Sequence, residues 1–287
     1  MENGREPSRC PFHILLCGLA TVEPGRAQRF QIEFMRSLVP TFCLCAAVAL
    51  FPCFSARGQD AAVELFRRMQ HALGGAEKIA SIQDFEEIVK ASTWNRSGQP
   101  IGEVRKRVRW VKPNHLRLDQ VGPGDTYALY FNGTSGWEIL PNGRPADLTG
   151  GELDFAKKYL SDFKLNVWLA DRLPGYRISS PAANVIRVSV NNKASEQIDI
   201  TLDPDSLLPV KETSVSLADP AHPVPSETQI RKWGIVQGMR FPDRVWVLHS
   251  GVRLADITTE EVKLNSGLKP EDLATKPADL KPDLPSR

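Results

Sequence analysis

Chemistry at a protein site begins with titratable and nucleophilic side chains at workable spacing, and beyond residue 58 this chain offers few of them. The histidines there are His71, His115, His222 and His249. A helix-borne metal site needs two histidines four residues apart with a carboxylate beside them, and no pair meets that spacing. His71 sits next to Gly74-Gly75, where packing or capping is its natural role. His222 falls in the Pro-rich stretch Asp219-Pro220-Ala221-His222-Pro223-Val224-Pro225, and His249 adjoins the turn Ser250-Gly251. Gly133-Thr134-Ser135-Gly136 has the wrong spacing for a nucleophile elbow and reads as a hairpin turn. Asp203-Pro204-Asp205 makes a turn, because a calcium loop needs more oxygen ligands and a glycine; Glu152 and Asp154 are too few for one as well. No glycine loop of the phosphate-cradling kind occurs. The sequence therefore gives no catalytic residue, no metal site and no cofactor, and a hydrolase would need a site assembled from scattered residues.

Two other groups of side chains could meet a ligand. Arg105, Arg107 and Arg109 alternate along one strand, with Lys106 on its other face. They form either a solvated strand face or a contact for an anionic head group or an acidic partner. The second group is aromatic apart from one leucine. Trp94, Trp110, Tyr127, Leu129, Phe131, Trp168, Trp233 and Trp246 are expected to line an apolar ligand cavity, with Phe66, Met69, Phe155, Tyr159 and Phe163 as its lid. Ordinary core packing is the competing account for each of them, and the structural one for Trp137.

These groups must be positioned by elements that the hydrophobic periodicity places. Val63, Phe66, Met69 and Leu73 recur at helical spacing over Ala61–Leu73, and Gly74-Gly75 stops that helix. From Ile82 the period changes to two. Val104, Val108 and Trp110 alternate with arginines, Leu116 and Leu118 with Arg117 and Asp119, Ile186, Val188 and Val190 with Arg187 and Ser189, and Ile198, Ile200 and Leu202 with Asp199 and Thr201. Gly150–Arg172 reads as helix broken near Asn166. The order is helix, about five strands, helix, then about six more strands, an α+β plan built on antiparallel pairing. The tail 268–287 is Pro-rich and expected to be extended.

All five cysteines, Cys10, Cys17, Cys43, Cys45 and Cys53, precede residue 54. Met35-Arg36 leads into the apolar run 38–54, which ends on small residues at Ala56 and Gly58. This is the layout of a secretory signal over 35–58, cleaved before Gln59. A membrane anchor is the alternative, as is lipid attachment at Cys53. Residues 1–34 then form an extension ahead of the true start, and 59–267 the working domain. The first 58 residues carry Arg5, Arg9, Arg26, Arg29, Arg36 and Arg57 against Glu2, Glu6, Glu23 and Glu33, an excess that accounts for the whole net charge of +2. The chain from Gln59 onward is neutral and free of thiols, so a disulfide framework is excluded and nothing favours nucleic acid.

Five segments in order, His71-Ala72-Leu73-Gly74-Gly75-Ala76-Glu77-Lys78-Ile79, Lys112-Pro113-Asn114-His115-Leu116-Arg117-Leu118, Tyr130-Phe131-Asn132-Gly133-Thr134-Ser135-Gly136-Trp137, Leu202-Asp203-Pro204-Asp205-Ser206-Leu207-Leu208-Pro209-Val210 and Gly238-Met239-Arg240-Phe241-Pro242-Asp243-Arg244-Val245, resemble the bacterial outer-membrane lipoprotein carrier superfamily (LolA-like and LolB-like proteins). The resemblance implies a curved antiparallel sheet, an incomplete β-barrel of about ten or eleven strands, with helices covering its concave face. It also implies an exported, non-enzymatic, monomeric protein of the periplasm that holds lipid or lipoprotein acyl chains on that face. A module that binds an envelope protein partner is the alternative.

Overall fold

The computed structural model describes residues 54–123, 126–191, 196–216 and 224–285. Two helices come first, α1 (Phe54–Leu73) and α2 (Ala76–Ala80), followed by strands β1 (Asp84–Trp94), β2 (Pro100–Val111), β3 (His115–Val121), β4 (Tyr127–Phe131), β5 (Gly136–Ile139) and β6 (Pro145–Asp147). Helices α3 (Gly150–Ser161) and α4 (Lys164–Trp168) lead to β7 (Tyr176–Ala182), β8 (Val185–Val190), β9 (Gln197–Leu202), β10 (Pro209–Ser216), β11 (Val224–Val236), β12 (Met239–His249) and β13 (Val252–Leu264), and α5 (Pro270–Ala274) comes last. The expected signal 35–58 and the extension 1–34 lie outside the described residues, except that α1 takes in the end of the former.

All strands belong to one open antiparallel sheet of 13, in the order β6-β5-β4-β3-β2-β1-β13-β12-β11-β10-β9-β8-β7. The α+β class and the curved, unclosed sheet agree with the sequence; the strand number exceeds the expected ten or eleven. The expected five strands and then six are six and then seven, and the three-residue β6 is too short to display an alternation. The two edges, β6 and β7, are neighbours in the chain and are joined by the α3–α4 segment. A flat sheet of this many strands would hold them about 58 Å apart at ~4.8 Å per strand. Curvature brings the edges within reach and lays the helices in the concavity.

The main core lies between the helices and the concave face. From the sheet it takes Phe85, Val108, Trp110, Leu116, Leu118, Leu129, Phe131, Ile186, Ile200 and Phe241, and from α1 it takes Ala62, Phe66, Met69 and Leu73. The helix break expected near Asn166 falls earlier, between α3 and α4, where Phe163 adopts extended backbone (φ −59, ψ 129). Its ring meets Phe85 edge-on at 5.5 Å and Trp110 at 5.6 Å, which pins the corner of the two helices to the sheet. Gly74 closes α1 with φ 123, and a Cβ there would lie 3.0 Å from the Gly238 carbonyl, so a side chain is opposed by both conformation and space.

The tail departs from the extended form expected of it. Its α5 packs Leu273, fully buried, into a second core on the convex face with Val111, Ala128, Tyr130, Trp137 and Ile139. Trp137 Nε1 donates to the Ala274 carbonyl at 2.8 Å. Further along, Asp283 accepts from Arg107 at 2.9 Å and from Arg109 at 2.8 Å, while Arg105 reaches the Pro285 carbonyl and, at 2.7 Å, Glu260. The arginine stripe is thus neither a bare solvated face nor open to an outside anion; the chain's own tail lies along it. Beneath it Asp119 is fully buried between Arg109 and Arg117, and it also accepts the Asp283 backbone N–H at 2.9 Å.

Breaking a buried pair strands the opposite charge, whereas a half-exposed partner is screened by water. Asp119→Ala is expected to cost about 3–5 kcal/mol of unfolding free energy in urea. Asp283→Ala, at a side chain 48% exposed, is expected to cost under about 1 kcal/mol. Equal costs for the two would show that Asp119 does not organise this face.

Candidate functional site

Beneath α3 and α4 the concave face is not filled. Two cavities of about 290 and 280 Å³ lie there, and both are lined by Glu87, Phe155, Tyr159, Lys164, Glu212 and Thr228, so they adjoin across a shared wall. The floor of the 280 Å³ cavity is apolar: Val89, Val108, Ile230, Val245, Val247 and Ile257. These side chains share a face because direct partners in an antiparallel ladder point the same way. Val89 pairs with Lys106, Ile230 with Val245 and Val245 with Ile257. The roof is Phe155 and Tyr159, with ring centroids 5.9 Å apart, together with Trp168. Each volume stands near the lower end of ligand sites, about 300 Å³, and the joined cleft falls within their range.

The shared wall is the polar part of the cleft. Lys164, in the first turn of α4, donates to both carboxylate oxygens of Glu87 at 2.7 and 2.8 Å. Lys106 Nζ lies 4.7 Å from the Tyr159 ring centroid. Burial and the nearby Glu87 charge push the Tyr159 phenol above its ordinary range. The Glu212 carboxyl is raised by burial, an effect that Lys164 partly offsets and Asp162 reinforces, and among the described residues nothing hydrogen-bonds it. Asp162 is raised by burial despite its ion pair with Lys158. A third cavity, about 340 Å³, lies beside the turn after β2 and is lined by Ile82, Trp110, Phe131, Leu160, Leu165 and Tyr176 among others.

Of the aromatic residues expected to line a ligand site, Tyr127 and Trp168 line the 280 Å³ cavity and Trp110 and Phe131 the third one. Leu129 is fully buried in the main core, and Trp233 packs against that core with its Nε1 donating to the Pro209 carbonyl at 3.2 Å. Trp94 and Trp246 stand on the opposite face, where the Arg253 guanidinium stacks over both, at 4.7 and 4.9 Å. Alternation shows that Trp246 and Val245 point apart but not which of them points inward. Of the lid, Phe155 and Tyr159 line both cavities and Phe163 the larger of the two. Phe66 and Met69 are fully buried and hold α1 to the sheet instead of covering the cleft. The wall residues Glu87, Lys164, Glu212 and Thr228 were not singled out by sequence. Their signal is a charge on the apolar side of an alternating strand, as with Glu87 two residues after Phe85.

Among the described residues no group of three or more His, Cys, Asp or Glu is placed to hold a metal ion, and no helix is long and apolar enough to cross a membrane. His115 Nδ1 lies 3.0 Å from the Tyr130 hydroxyl on the convex side, and buried His249 is lowered to about 4 by burial and by the Arg96 charge.

No family model matches the chain, and no curated protein matches it. Solved structures do. A LolA superfamily protein from Nitrosomonas europaea is similar over 75% of this chain and 97% of its own, at 12% identity and a TM-score of 0.52. A DUF1329 family protein from Desulfovibrio piger is similar over 74% and 95%, at 13% identity and a TM-score of 0.50. The chain thus shares the fold of these two proteins, the curved antiparallel sheet that its five segments imply.

One buried carboxyl at the edge of the lid gives a test of this geometry. Glu138, 5% exposed on β5, is raised to about 7 by burial and by the charge of Glu152 on α3. A raised carboxyl contributes its stability below the unfolded value of 4.5 and loses it as pH climbs through 7. Glu138→Gln is therefore expected to match the unaltered protein near pH 4.5 and to exceed it by about 3 kcal/mol at pH 8, read by urea unfolding at the two pH values. A gap that does not change with pH would contradict the placement of Glu138 under α3.

Proposed function

We propose that the protein is an exported, non-enzymatic binder of lipid or lipoprotein acyl chains, holding them in the cleft beneath α3 and α4. Its body begins near Gln59 after removal of the signal 35–58, and it works as a monomer in the periplasm. The observation that carries this reading is the pair of adjoining cavities under a two-helix lid, one of them floored by Val89, Val108, Ile230, Val245, Val247 and Ile257. Each methylene moved from water into such a space gains about 0.8 kcal/mol, enough for chain binding without a charged anchor. The fold held in common with a LolA superfamily protein supports the same reading.

The test is mass spectrometry of the protein purified from the periplasm, joined to titration with a fatty acid followed by tryptophan fluorescence, since Trp168 lines the cleft. Co-purifying lipid and a saturable fluorescence change are expected. Ile230→Trp, which fills the floor, should weaken binding at least tenfold, about 1.4 kcal/mol, with thermal stability kept. Lipid-free protein with no fluorescence response would overturn the reading. A stoichiometric protein partner recovered in place of lipid would favour an envelope regulatory or assembly role.

A further inference from the structure

The convex face divides into two halves. Across β2 and β3 its arginines lie under the chain's own tail, as far as the Pro285 carbonyl on Arg105. The other half carries a different arrangement. Arg231, Trp246, Arg253 and Trp94 come one from each of the adjacent strands β11, β12, β13 and β1. They stack in that order, with guanidinium-to-ring distances of 4.2, 4.9 and 4.7 Å. Neighbouring strands of a sheet stand about 4.8 Å apart, which is also a good distance for a cation over a ring, so one rung per strand continues the ladder. Both guanidinia are exposed and both tryptophans half-buried. The carboxylates nearby are held by other groups. Asp256 accepts from Arg244 on both oxygens, at 2.9 and 2.7 Å, and Asp243 pairs with Lys232 at 2.6 Å. Glu227 accepts from Gln229 at 2.6 Å and has Lys211 at 3.7 Å. Among the described residues, Arg231 and Arg253 donate no side-chain hydrogen bond and engage only the indoles. A guanidinium laid on a ring has already given up much of its rotamer freedom and keeps its planar N–H fork for an oxyanion. The chain from Gln59 onward is neutral, so attraction to an anion must come from a local surplus of this kind.

We propose that this ladder docks the protein on the surface of an anionic phospholipid bilayer, with Arg231 and Arg253 on lipid phosphates and Trp94 and Trp246 at the level of the head groups. A convex face meets a flat lamella along a line and needs no groove, and the ladder is such a line. Indoles are at home where one side of the ring is apolar and the other wet. Val252, beside Arg253 and 38% exposed, adds an aliphatic contact at the same place. An acidic protein segment would satisfy the two forks but would leave the valine and the indoles without a use. The docking surface is independent of what the cleft holds.

The experiment floats the protein purified from the periplasm with vesicles of phosphatidylglycerol and phosphatidylcholine in equal parts, and with vesicles of phosphatidylcholine alone. Binding is expected on the first and not on the second. It should fall as salt rises from about 0.1 M to about 1 M, over which the Debye length shrinks from about 10 to about 3 Å. Arg231→Gln combined with Arg253→Gln should lower partitioning onto the anionic vesicles roughly thirtyfold, with the melting temperature kept. Arg67→Gln combined with Arg68→Gln removes the same charge from the exposed side of α1 and should leave partitioning unchanged. No binding of the unaltered protein to anionic vesicles, equal binding to neutral ones, or equal losses in the two double variants overturns the proposal. None of these results bears on the cleft, which the fatty acid titration tests. An acidic protein held by the unaltered chain and released by the Arg231 and Arg253 changes, with no vesicle binding, overturns it in favour of a protein dock on the same ladder.

Discussion

The fold turns on one connection. Strands β6 and β7 are consecutive in the chain yet lie at opposite edges of the sheet, with every other strand between them. The segment joining them must cross the concave side, and it can do so only if the sheet curls. A long antiparallel sheet also has to hide one apolar face. Here the crossing segment does both: α3 and α4 tie the edges and roof the face. Because the roof is short relative to the face it covers, space is left beneath it, and that space is the cleft.

Polar chemistry is distributed unequally between the two faces. On the convex face most of the charges are paired, although Arg107 Nε and Arg109 Nε are buried without a hydrogen-bond partner among the described residues. Asp119 holds Arg109 and Arg117, Asp283 closes over them, and Glu86 takes Arg107 at 2.8 Å. On the concave face Lys164 holds Glu87, and Glu212 lines the cleft beside them.

Much of this was legible in the residue order. Alternation identified the strands around Val104–Trp110, Leu116–Leu118 and Ile186–Leu202, and a helix pair between two strand groups. What alternation cannot express is which parity faces inward when both are bulky. On β12 the small Val245 and Val247 face the cleft and the large Trp246 faces away. The roof residues Phe155 and Tyr159 were readable because helical spacing leaves one apolar stripe. The wall was not, since Glu87 and Lys164 are 77 positions apart and meet only in the folded chain. The tail misled for a physical reason as well. Its prolines forbid a long helix, but one turn of α5 suffices to bury Leu273, and single turns carry no periodicity.

The pairing at the centre of the sheet has a consequence for how the chain reaches this state. β1 lies against β13, and the Gln83 backbone N–H donates to the Asn265 side chain at 2.7 Å, a closure across 182 positions. Until the last strand is available, β1–β6 and β7–β12 are two separate stacks of hairpins with raw central edges. The final seam is a non-local contact of the slowest kind to form. A polypeptide whose middle is sealed by its own end cannot complete its sheet until the whole of it has been made.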